Sequence, residues 1–86
     1  MSPDLKQHII EVMWGNAVEL YSLLSKNPLT SQETYLHDVQ SVHDRCHLHC
    51  RVIQELGCHN DSQFSNLYDQ IDTVATKAGE ILQENN

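Results

Sequence analysis

Positive charge is scarce in this 86-residue chain: five Lys and Arg stand against twelve Asp and Glu, for a formal net charge of -7. Phosphate backbones and anionic lipid surfaces are bound through clustered cations, so neither nucleic acid nor a membrane is expected as a partner. Long apolar runs are missing too. The most hydrophobic stretch, Ile9 to Leu24, is broken by Glu11, Asn16 and Glu19 and falls short of the roughly 20 residues that a membrane span requires. A signal-peptide pattern is also missing, and the expected location is cytoplasmic. Cysteines number three, an odd count, and two of them lie four residues apart, which disfavours a disulfide framework and fits reduced thiols. No phosphate loop, nucleophile elbow or zinc-protease motif occurs, so the chain is not expected to be an enzyme.

What is present reads as helix. Ser2-Pro3-Asp4 combines a capping hydroxyl, a ring pre-set for the first helical position and an acid at the positive dipole end. The first helix is predicted over about 3–26, ended by Asn27-Pro28 because the residue before proline is pushed out of the α region. Thr30 with Glu33 reads as a capping box opening a second helix, about 31–56. Gly57 supplies a left-handed cap, and Asn60-Asp61-Ser62 a turn and the N-cap of a third helix over about 62–83. The fold expected is all-α: a single-domain, up-down-up antiparallel three-helix bundle, with dimerisation as one route to extra burial.

The three helices differ in how much they need to bury. Helix three carries one stripe, Phe64, Leu67, Tyr68, Ile71, Val74, Ala75, Ala78, Ile81 and Leu82, with Asp69, Asp72, Thr73, Thr76 and Glu80 facing away. Helix two alternates three and four steps through Tyr35, Val39, Val42, Cys46, His49, Ile53 and Leu56. Helix one has two rows, Ile10-Trp14-Ala17-Tyr21-Leu24 and Leu5-Ile9-Val12-Leu23, roughly 110° apart, with Met13 and Leu20 between them. That apolar arc exceeds what a three-helix bundle covers. The unbroken Trp14-Tyr21 row is assigned to the core, and Leu5, Ile9, Val12 and Leu23 to a partner, with Asn16 in the same row to set register.

The segment from Val42 to His59 holds all three cysteines and four of the six histidines. On a helix, His43, Cys46, His47 and Cys50 fall within an arc of about 100°. A closed tetrahedral metal site needs about four ligands surrounding the ion, and helices one and three offer none on their facing sides. Cys46 and Cys50 instead share the core stripe, where cysteine behaves as a small hydrophobe. His37 and His47 should be exposed, and His43 and His49 should sit at the core edge.

The favoured function is therefore a non-enzymatic interaction module, a small acidic adaptor, inhibitor, antitoxin or chaperone-like protein. It would bind a protein partner or a second copy of itself through helix one, with no cofactor. The alternative is a transition-metal-binding bundle using His43, Cys46 and Cys50 across a dimer.

Overall fold

A computed structural model describes residues 2–57 and 60–85, and these form three α-helices: α1 (Pro3–Ser22), α2 (Gln32–Glu55) and α3 (Ser62–Glu84). Cys58 and His59 lie outside the described residues. Polar ties between distant ends express the up-down-up course. Lys6, near the start of α1, meets Asp61 at the start of α3 (Nζ to Oδ2, 2.5 Å), and Gln32 at the start of α2 donates to Asn85 just past α3 (2.8 Å).

Each helix begins as its local chemistry requires. Ser2 Oγ accepts from the Leu5 amide (3.2 Å) with Pro3 in the first turn, and Asp61 Oδ1 accepts from the Gln63 amide (2.9 Å). At α2 the cap is Ser31, not Thr30. Its Oγ accepts from the Thr34 amide (3.2 Å), so the box expected between Thr30 and Glu33 does not form. Gly57 has φ +70°, the left-handed conformation that follows the Leu56 cap, and its amide donates to the Gln54 carbonyl (3.0 Å).

Helix α1 stops at Ser22, four residues before the predicted end. The Ser22 hydroxyl donates to the Glu19 carbonyl (2.6 Å), and tightened bonds from Leu24 to Tyr21 and from Ser25 to Ser22 close the last turn. The Leu24 carbonyl is then taken by the Tyr35 hydroxyl of α2 (2.6 Å). Pro28 has no amide proton to offer that carbonyl, so the tertiary bond satisfies an acceptor that a longer helix would leave open. Asn27-Pro28 follows as a turn of its own, with the Thr30 amide on the Asn27 carbonyl and the Leu29 amide on Asn27 Oδ1 (both 2.9 Å).

The core joins Val39, Val42, Cys46, Cys50 and Ile53 of α2 to Phe64, Leu67, Ile71, Val74, Ala75 and Ala78 of α3. The contact between these two helices is the most extensive in the molecule. The α3 stripe is as expected, with Tyr68, Ile81 and Leu82 partly buried at its margins. On α2 the seam holds Cys46 and Cys50, as expected, with His49 half-buried at its edge, and it leaves Leu56 exposed.

Two outcomes check this account. Alanine at Gly57 forces a side chain into the left-handed region and is expected to cost about 1 kcal/mol, lowering the thermal midpoint by roughly 4–8 °C in calorimetry. Lys6 and the capped backbone amides hold the Asp61 carboxyl below its usual range. A carboxyl depressed in the folded state stabilises fully above its unfolded pKa, about pH 4, and loses that contribution as pH falls through its folded value. Asp61→Asn, which keeps a capping oxygen, should therefore lower stability at pH 7 more than at pH 3 in urea titrations.

Candidate functional site

On α1 the buried residues are Met13, Ala17, Leu20 and, just past its end, Leu24. Met13 and Leu20 fall between the two rows identified from sequence, while Ala17 and Leu24 belong to the row assigned to the core, so that row turns inward only in part. Trp14 and Tyr21 are 44% and 56% exposed, with Val18 beside them at 61%. The reason is geometric. A helix resting on a pair of helices sends the middle of its apolar arc toward them and leaves both margins at the rims.

Each margin borders a shallow groove. On the α3 side, Trp14, Val18 and Tyr21 line one with Gln70, Thr73 and Val74. On the α2 side, His8, Ile9 and Val12 line another with Val52 and Leu56. Of the residues assigned to a partner, Leu5 and Val12 are about half exposed, and Ile9 is partly buried against the core. Asn16 is half-buried and lies one depression further along, with Glu19, Arg45, Leu48 and His49. Leu23 is the helix cap and is exposed. The α2-side groove thus holds Ile9 and Val12, with Leu5 exposed earlier on α1 and Asn16 and Leu23 further along.

Sequence reasoning missed the α2 contribution to this surface. Leu48 and Leu56 are exposed and Val52 is partly buried, and all three line these depressions. Their spacing of four steps is the signal that marks them as one row, of which Leu56 also falls on the stripe expected at the seam.

The histidine and cysteine segment resolves into separate environments. Cys46 and Cys50 are free and buried. Burial pushes both thiols up to about 11, with Cys50 adding to the shift at Cys46 and Asp72 to that at Cys50. His49 is half-buried; burial and then the Arg45 charge lower its pKa, which keeps the ring neutral at neutral pH. His37 and His47 are exposed, as expected. His43 turns toward His47, their Nε2 atoms 3.1 Å apart and their rings edge to face at 67°. Among the described residues no group of three or more His, Cys, Asp and Glu side chains is placed to hold a metal ion. The His43-Cys46-Cys50 set is therefore not assembled within one chain.

A thiol whose pKa rises on folding favours the folded state below its unfolded value, near 9, and that preference is lost as pH climbs toward 11. In a Cys58→Ser background, Cys46 and Cys50 should resist an aromatic disulfide reagent at pH 8 until denaturant is added. Fast labelling of the native protein would show that the seam opens. Searches with this chain found no matching family model, curated protein or solved structure.

Proposed function

We propose that this chain is a non-enzymatic protein-protein interaction module that engages a protein partner, or a second copy of itself, through α1. One observation carries the reading: Leu5, Val12, Trp14, Val18 and Tyr21 all stand at least two-fifths exposed on a single helix. Scattered apolar side chains are normal on a surface, but apolar rows that border grooves, as on each rim of α1, mark contact sites.

The preferred docking strip is Leu5, Ile9 and Val12, extended by Val52 and Leu56 of α2 and continued past Asn16 to Leu23. Its apolar groove is bordered by two helices, so a partner helix would meet a concave surface there and not a single ridge. The net charge of -7 adds a preference for a partner of opposite sign over a second acidic copy. Reduced thiols accord with a cytoplasmic setting. No helix is long and apolar enough to cross a membrane among the described residues.

Val12→Asp should weaken assembly by at least ~10-fold, because it places a charge in a desolvated contact, while far-UV dichroism stays unchanged. Sedimentation velocity reads self-association, and capture from native extract with Val12→Asp as the control reads a foreign partner. Val18→Asp, on the opposite margin, should leave both intact. If Val18→Asp disrupts and Val12→Asp does not, the docking surface is the Trp14 side. A monomer that retains nothing specific would sink the reading.

A further inference from the structure

Two imidazoles on the exposed edge of α2 stand apart from the docking surface. His43 and His47 are one turn apart, and their Nε2 atoms approach to 3.1 Å. The His43 ring is half-buried and lies beside Gly79 of α3, where an added methyl group would sit 3.9 Å from its Cδ2. Its Nδ1 is buried and has no hydrogen-bond partner, and the nearest acidic oxygen, Asp44 Oδ1, is 3.5 Å away. That oxygen is itself held by the Gln40 amide at 3.0 Å.

These facts select a tautomer. With Asp44 as the nearest charge, the favoured neutral form of His43 carries its proton on Nδ1, facing the carboxylate. Its Nε2 then presents a lone pair toward His47, whose own Nε2 proton fills the gap between the rings. A metal ion held by both nitrogens would sit to one side of the line between them, with each ring turned to aim its lone pair at it. The Asp44 carboxylate behind the ring, 3.5 Å from Nδ1 and not hydrogen-bonded to it, places a negative charge beside the site.

We propose that His43 and His47 form a bidentate imidazole site for a divalent transition ion of the copper, nickel and zinc class. At metal-nitrogen distances of about 2.0–2.1 Å, a 3.1 Å separation subtends roughly 95–102° at the ion. This lies between the right angle of square-planar or octahedral coordination and the tetrahedral angle, so small ring rotations suit either. On binding, the shared proton leaves His47 Nε2 and the ring takes its Nδ1–H form, which an exposed residue adopts without burying an unpaired group. Water completes the coordination, since no third side chain converges among the described residues. The cysteines take no part: both thiols are buried in the seam between α2 and α3. This site is distinct from the pairing of His43 with Cys46 and Cys50, and does not depend on the role of α1.

The test is calorimetric titration of the untagged full chain with Ni(II) and Zn(II), followed by the absorption spectrum with Co(II). The expected result is about one equivalent bound, a raised thermal midpoint, and a Co(II) spectrum without a thiolate charge-transfer band. His47→Gln should weaken binding at least tenfold, and His37→Gln should leave it unchanged. Because His47 is exposed, its replacement is not expected to disturb folding; His43→Gln, checked by far-UV dichroism, should give the same loss. Binding that survives His47→Gln, or a thiolate band in the Co(II) complex, overturns the proposal.

Discussion

The seam between α2 and α3 carries the rest of the molecule. Val39, Val42, Cys46 and Ile53 on one helix, and Phe64, Leu67, Ile71 and Ala78 on the other, have no solvent exposure. Each large side chain among them contributes about 1.5–3 kcal/mol by leaving water. None of the core residues of α1 reaches that state: Met13, Ala17, Leu20 and Leu24 all retain a little exposure. This helix rests on a base that the other two build, and its position follows from theirs.

The same seam explains why the cysteines are quiet and the histidines are not. Burial keeps Cys46 and Cys50 protonated, so residues that look like ligands on paper serve as packing. His43 stands where the seam meets the surface. Its ring lies beside Gly79 while its Nε2 edge emerges toward His47. Chemistry on this helix is confined to that boundary, because farther in there is no water to exchange with and farther out nothing holds a ring in place.

Much of this was legible from residue order. Helix count, the α3 stripe, the Gly57 reversal and the edge placement of His43 and His49 follow from periodicity and from backbone rules that act over a few residues. The errors share a cause. α1 ends at Ser22, where the last turn tightens and the Ser22 hydroxyl takes the Glu19 carbonyl, and Tyr35 from another helix takes the Leu24 carbonyl beyond it. Ser31 outcompetes Thr30 as the α2 cap, a one-residue contest between similar hydroxyls. Leu56, which the spacing places on the α2 stripe, is left exposed because the facing helix decides how far along that stripe is covered. Of the candidate docking strip, Leu5 and Val12 were legible as surplus apolar residues, but the α2 wall formed by Val52 and Leu56 was not.

Sequence alone determined that this is an acidic, all-helical chain whose first helix carries more apolar surface than two neighbours can cover. Those properties are set by composition and by a period of 3.6 residues, and both are local. Only the tertiary structure decided which part of that surface goes inward. An isolated helix with a broad apolar arc has no preferred rotation about its axis. The rotation is chosen when α1 meets α2 and α3 together and buries the middle of its arc, leaving Trp14 on one rim and Val12 on the other.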